Sequence, residues 1–179
     1  LLEKNAQDTK SGAGQYFTPR HVAAFCTDLL AVSKNDVCLD PACGTGGFLI
    51  AAMNRIAREH QLSRDQMVKL VQKRLIGFDA EPVTAALCVA NMILRGDGSS
   101  SVHRGDCFTA EEFPVGKASV VLMNPPFPHK NTDASPEMFV ERALEGLAQG
   151  GRLAVVIPLS LLVKKDKMPW RQSIVRDNT

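Results

Sequence analysis

The chain has 179 residues, of which 45% are hydrophobic, and a formal net charge of +2. That length buries one ordinary core, so a single domain is expected, and so small a charge does not by itself mark a nucleic-acid binder. No membrane-spanning apolar run, internal repeat or low-complexity segment is visible, and the 5 cysteines (26, 38, 43, 88 and 107) form no C-x-x-C pair and meet no histidine at zinc-ligand spacing. Buried reduced thiols of a cytoplasmic protein, with no metal and no membrane, are expected instead.

Residues 1–14 are polar and end in Ser-Gly-Ala-Gly, which predicts a flexible lead-in, with a core over 15–179. Gln15-Tyr-Phe-Thr-Pro19 follows. Thr18 suits an N-cap and Pro19 a first helical residue, and Val22, Phe25, Cys26 and Leu29 recur at helical spacing, so a helix is expected with that face inward. Tyr16 and Phe17 suit a hydrophobic staple, or the helix start with the Thr18 hydroxyl suits a carboxylate. Val37 to Leu39 reads as a strand running into Asp40-Pro-Ala-Cys-Gly-Thr-Gly-Gly-Phe-Leu49. Glycines 44, 46 and 47 allow a tight turn and close approach of a ligand, and Phe48, Leu49, Ala52 and Ile56 predict the next helix packing back on a sheet. Leu49 stands where the dinucleotide fingerprint needs glycine, and no phosphate-binding G-x-x-x-x-G-K-[ST] exists. Asp40 could accept from an ammonium group, which pyrophosphate cofactors lack.

Ser63-Arg-Asp-Gln66 has the form of a capping box before a helix with Met67, Leu70 and Val71 inward. Leu75 to Asp79 reads as a second strand, and its final acid suits ribose hydroxyls or an ordinary turn. Pro82 opens a helix expected to bury Val83, Ala86, Leu87, Ala90, Ile93 and Leu94 and to close at Gly96. Val102 to Arg104 predicts a third strand before Gly105-Asp106, where Asp106 could reach an adenine amine or simply end the strand. Ser135-Pro136-Glu137 caps a later helix with Phe139, Ala143, Leu144 and Leu147 inward and its end at Gly150-Gly151. Arg152 to Ile157 reads as a fifth strand, and the alternation of strands and helices predicts an α/β fold with a mainly parallel sheet and helices on both faces. Lys164, Lys165, Lys167, Arg171 and Arg176 form a basic cluster that suits a solvated face better than a phosphate backbone. His21, His60, His103 and His129 are scattered, and none is assigned a role.

Ser119-Val-Val-Leu-Met-Asn-Pro-Pro-Phe127 carries the most chemistry. The valines and their apolar neighbours predict a short buried strand, stopped at Asn124 because two prolines cannot continue a ladder. Asn124 then offers an amide oxygen, Pro125 a backbone carbonyl and Phe127 a flat face, a set that suits a planar ring with an exocyclic amino group. Two acceptors holding both amine hydrogens oppose delocalisation of the nitrogen lone pair into the ring. With the glycine turn, Asp40, Asp79, Asp106 and the helix start after Thr18, the pattern describes S-adenosylmethionine beside a ring amine, and methyl transfer from a sulfonium to nitrogen.

The ordered set Gly14-Gln-Tyr-Phe-Thr-Pro19, Asp40 to Leu49, Gly77-Phe-Asp79, Gly105-Asp106 and Asn124-Pro-Pro-Phe127 resembles the catalytic domain of N6-adenine DNA methyltransferases. More narrowly, it is similar to the modification subunit of type I restriction-modification systems. The resemblance implies a Rossmann-like S-adenosylmethionine-dependent methyltransferase fold. It implies a cofactor site lined by Gln15, Tyr16, Phe17, Thr18, Asp40, Pro41, Ala42, Gly44, Thr45, Gly46, Gly47, Asp79 and Asp106. It also implies a flipped adenine gripped by Asn124, Pro125, Pro126 and Phe127, with DNA, a specificity subunit and a restriction subunit as partners.

Pro128 stands where that family usually has glycine, so the loop over the base is expected to have its own shape. The family's sheet continues past the fifth strand and carries an added helical domain, so the chain is expected to be a core from a longer subunit, inactive alone. Methylation of protein glutamine or of ribosomal RNA guanine, a non-catalytic methyltransferase-like binding module, and a nucleotide-binding domain of another class remain as alternatives.

Overall fold

The computed structural model describes residues 17–71, 74–96, 101–128 and 133–178. Gln15, Tyr16, the expected lead-in and residues 129–132 of the loop after Phe127 lie outside the described residues. In chain order the elements are α1 (Arg20–Leu29), β1 (Cys38–Asp40), α2 (Gly47–His60), α3 (Arg64–Val71), β2 (Leu75–Asp79), α4 (Pro82–Leu94) and β3 (Ser101–Arg104). They continue with β4 (Ala118–Met123), α5 (Pro136–Gly146), β5 (Leu147–Val155), α6 (Leu159–Val163), a 3-10 turn (Lys165–Lys167) and α7 (Met168–Asp177). The strands form one sheet of order β3-β2-β1-β4-β5, and every neighbouring pair is parallel. Chain order reverses between β1 and β4, and in open α/β sheets the crevice beyond the strand ends at that point is where ligands bind.

The pleat divides the core into two layers, because successive side chains of a strand face opposite sides. Cys38, Leu75, Val120 and Leu122 pack with Ala23 and Cys26 of α1, Phe48, Leu49, Ala52, Met53 and Ile56 of α2, and Cys88 and Met92 of α4. Leu39, Phe78, Val121 and Met123 pack with Phe113 and with Phe139, Val140 and Ala143 of α5. All five cysteines are free thiols and buried. The capping box before α3 forms as expected, with Ser63 N–H donating to Gln66 Oε1 at 2.9 Å and Gln66 N–H to Ser63 Oγ at 3.3 Å. Whether Met67, Leu70 and Val71 face inward lies outside the described side chains.

Three expected details are corrected. α1 buries Ala23, Cys26 and Thr27, whereas Phe25 and Leu29 are 63% and 65% exposed. Small residues let α1 lie close on α2, and the large apolar ones are left on the outside. α4 buries Thr84, Ala85, Cys88 and Met92 and leaves Val83, Ala86, Leu87, Ala90, Ile93 and Leu94 exposed. That helix is apolar nearly all round, so periodicity selects no face. Contact with the glycine turn selects it: a Cβ on Gly46 would stand 2.9 Å from Cys88 Sγ. Finally, α5 ends at Gly146, not at Gly150-Gly151, and Leu147 is already extended at φ −71°, ψ 135°. The last helical carbonyls are taken from outside the helix, Glu145 O by Gly116 N–H at 2.8 Å and Gly146 O by Lys117 N–H at 3.1 Å. β5 therefore begins at Leu147, five residues before the expected Arg152, and its register with β4 shifts between Ala118 and Val120 before Arg152 pairs with Val120.

Among the described residues no helix is long and apolar enough to cross a membrane. In the C-terminal basic cluster, Lys167 pairs with Glu137, Arg176 with Asp177, and Arg171 donates to the carbonyls of Leu161 and Lys164. Much of that charge is already engaged within the fold.

Candidate active site

The turn after β1 is built on left-handed backbone, φ +54° at Gly44 and +91° at Gly46, which L side chains adopt only under strain. Nothing lies within 4 Å of where a Cβ on Gly44 or Gly47 would stand, so the main chain there is open to close approach by a ligand. The turn is braced from two elements. Cys43 N–H donates to Phe78 O at 2.9 Å and Gly44 N–H to Asp79 Oδ2 at 3.0 Å, while Asn91 of α4 donates from Nδ2 to Thr45 O at 3.0 Å. Asn91 was not singled out from sequence. Its signal is the one carboxamide on a helix that is otherwise apolar but for Thr84.

Asp79 sits half-buried at the end of β2, and its other oxygen accepts from Glu81 N–H at 2.9 Å. Burial raises its pKa, opposed by the Glu81 and Gly44 amides. Each carboxylate oxygen has room for a second hydrogen bond, so a side chain that holds the turn can still meet a pair of hydroxyls. Asp40 is brought to the same turn, but its carboxyl is enclosed, 1% exposed, and accepts from Ala42 N–H at 3.1 Å. Burial pushes its pKa up to about 8, against the Ala42 bond and with the Asp79 charge adding to the rise. Pro41 is buried, and Ala42 and Thr45 are partly buried. Asp106 is exposed beyond β3 and closes a local turn, with Oδ1 accepting from Phe108 N–H at 3.0 Å.

Asn124 follows β4 directly, and Pro125 behind it is buried while Pro126 is exposed and Phe127 partly buried. Its Nδ2 donates to Thr18 Oγ1 at 3.1 Å, across 106 residues of chain. That contact corrects the expected helix start. Thr18 is not the N-cap of α1. Pro19 holds the N-cap position, and its carbonyl accepts from Val22 and Ala23 N–H at 3.0 and 3.1 Å. Phe17 precedes it, 43% exposed. Thr18, the glycine turn, Asp79 and Asn124 thus gather at the carboxyl ends of β1, β2 and β4. Among the described residues no group of three or more His, Cys, Asp or Glu side chains could hold a metal ion.

Residues 1–179 match the family described as N-6 DNA Methylase. The chain belongs to this family. The type II restriction enzyme and methyltransferase RM.BcgI of Heyndrickxia coagulans is 36% identical over 160 residues, which cover 86% of this chain and 25% of that protein. The type I restriction enzyme EcoKI methylase subunit of Escherichia coli (strain K12) is 33% identical over 187 residues, covering 93% of this chain and 35% of that subunit. The solved EcoKI M protein superposes with a TM-score of 0.74 at 27% identity, over 93% of this chain and 38% of that one. The chain therefore spans about a quarter to a third of the length of these curated relatives. The parallel Rossmann-like sheet expected from the motifs is the fold of this family.

Proposed function

We propose that this chain is the S-adenosylmethionine-dependent catalytic core of a site-specific N6-adenine DNA methyltransferase, in the modification subunit of a type I restriction-modification system acting in the cytoplasm. The observation that carries the reading is that β1 and β4 lie side by side and parallel, so that the open glycine turn and Asn124-Pro-Pro-Phe127 follow neighbouring strand ends at the reversal of strand order. The relatives named as type I methylase subunits support the same assignment.

The residues fit the cofactor. Open main chain at Gly44 and Gly47 admits close approach, and an acid ending the second strand, as Asp79 does, suits ribose hydroxyls. Gln15 to Thr18, Pro41, Ala42, Thr45, Gly46 and Asp106 complete the proposed lining. Asp40 acts from behind it, holding Ala42 N–H and shaping the turn. When bound, S-adenosylmethionine supplies an electrophilic methyl group on sulfur.

The chain's own part is positioning. The Asn124 oxygen and the Pro125 carbonyl accept the two hydrogens of the adenine amine, which keeps the nitrogen lone pair out of the ring and available. Pro126 fixes the direction of the chain, and Phe127 stacks on a base drawn out of the duplex, worth about 1–3 kcal/mol. Extracting that base costs a few kcal/mol, so specific binding falls to further parts of the subunit and to a separate specificity subunit, with a restriction subunit completing the system.

Labelled methyl transfer by the full-length subunit in its assembled complex tests the reading. Incorporation into unmethylated duplex DNA is expected, with calorimetric S-adenosylmethionine affinity strongly reduced by Asp79→Ala. Equal affinity in a folded variant would remove Asp79 from the cofactor site.

A further inference from the structure

We infer that Thr18 is a positioning residue for Asn124, holding the plane of its carboxamide so that the oxygen is presented to the target amine; this rests on the proposed methyltransferase reading. Three observations converge on it. The Thr18 hydroxyl accepts from Asn124 Nδ2 at 3.1 Å. Pro19, not Thr18, holds the N-cap position of α1. And Asn124 follows the last residue of a buried strand, β4, so its backbone is fixed by the sheet while its side chain keeps two torsions to be set by neighbours.

A carboxamide is nearly symmetric in shape and opposite in chemistry at its two ends. Turned the wrong way, its NH2 group would face the amine donor against donor, and the acceptor pair with the Pro125 carbonyl would be lost. A hydroxyl can accept from the NH2 end or donate to the oxygen end, so Thr18 fixes the position and plane of the amide. The incoming amine then selects the oxygen at the end turned toward it. Thr18 belongs to the segment before α1 and Asn124 to the end of β4, so the bond also ties the start of α1 to the base-binding edge.

The role predicts a kinetic signature distinct from cofactor binding. In the full-length subunit within its assembled complex, Thr18→Val removes the hydroxyl and keeps the shape. It should lower kcat for DNA methylation roughly ten- to a hundredfold, the scale on which small misplacements of reacting groups act, and because Thr18 also belongs to the proposed cofactor lining, any rise in S-adenosylmethionine Kd should be several-fold smaller than the fall in kcat. Thr18→Ser restores the hydroxyl and should recover most of the rate. A raised cofactor Kd with unchanged kcat would overturn the inference in favour of a cofactor contact alone, as would failure of Thr18→Ser to rescue. Crystal structures of wild-type and Thr18→Val full-length subunit supply a readout independent of activity: the Asn124 amide should rotate or take two orientations in the variant, and one unchanged orientation would overturn the inference. If the wild type methylates no DNA adenine, the functional reading fails separately, and the pair of structures still decides whether Thr18 holds the amide.

Discussion

Asp36 and Asp40 stand at opposite ends of β1, both buried, at 7% and 1% exposure, and the fold treats them in opposite ways. Asp36 at the entry is surrounded by donors. Its Oδ2 accepts from Ser33 N–H at 2.8 Å and Ser33 Oγ at 3.0 Å, and its Oδ1 from Ser119 Oγ at 2.7 Å and Arg152 Nη2 at 3.0 Å. Burial works to raise its pKa, and the Ser119 and Ser33 hydrogen bonds with the Arg152 charge outweigh it, leaving the carboxyl below the usual range. Arg152 also donates from Nε to Leu30 O at 2.9 Å, so the cluster clasps β1, β4, β5 and the segment after α1. Among the described residues Asp40 at the exit has one hydrogen-bond donor, Ala42 N–H, and a pKa pushed up to about 8. One end of the strand is satisfied within the protein and serves stability. The other is enclosed beneath an open turn with fewer donors to hold it, which costs stability at the edge where the candidate site lies.

The largest expected effect tests the exit end. Asn124→Ala in the full-length complex should lower the methylation rate by roughly a hundred- to a thousandfold, the scale for losing one group that orients the reacting centre, while the melting temperature and cofactor affinity stay near wild type. A parallel loss of cofactor affinity would break the separation of base grip from cofactor site. Next comes the entry end. Asp36→Ala leaves Ser33 N–H and Arg152 without their carboxylate and should destabilise by about 2–3 kcal/mol in urea unfolding, discounted because Arg152 is partly exposed, with cofactor affinity unchanged.

The two acids also separate by pH. Asp40 has a folded pKa above its unfolded value near 3.8, so its contribution to stability is full below that value and is lost as pH rises through about 8. Asp79 shifts in the same direction. Asp36 has a lowered folded pKa, so its contribution holds above the unfolded value and is lost only as pH falls through the folded one. Between pH 5.5 and 8 the melting temperature of the ligand-free protein should therefore fall, and Asp40→Asn should flatten that slope where Asp36→Asn leaves it unchanged. An unaltered slope in Asp40→Asn would remove the contrast between the two ends. The smallest effect concerns the brace behind the turn. Asn91→Ala gives up its hydrogen bond to Thr45 O and should cost about 1 kcal/mol, with a few-fold loss of cofactor affinity measured by calorimetry.

What could be read from sequence follows from how local each cause is. β4 stopping at Asn124, the glycine turn after β1, the acid ending β2, and the caps at Ser63 and Ser135 rest on residues a few positions apart, and the structure places these elements as expected. The faces of α1 and α4, the end of α5 at Gly146 and the partner of Thr18 depend on residues far along the chain. Thr18 has the right composition for a cap, yet a side chain 106 residues away claims its hydroxyl. For α4, apolar on nearly every side, the packing of Cys88 and Met92 into the core, with Cys88 and Asn91 against the glycine turn, says which side is inner. Of the candidate site, Thr18, the glycine turn, Asp79 and Asn124 are brought together, Asp106 stands apart at the end of β3, and Asp40 is present but enclosed.

On the proposed reading this core methylates the exocyclic amine of adenine in DNA. Mass spectrometry of nucleosides from duplex DNA incubated with S-adenosylmethionine and the full-length subunit in its assembled complex tests it most directly. N6-methyladenine should appear with wild type and be lost with Asn124→Ala. Methyl groups found only on protein glutamine or on RNA, with the DNA adenines unmodified, would rule out adenine as the substrate.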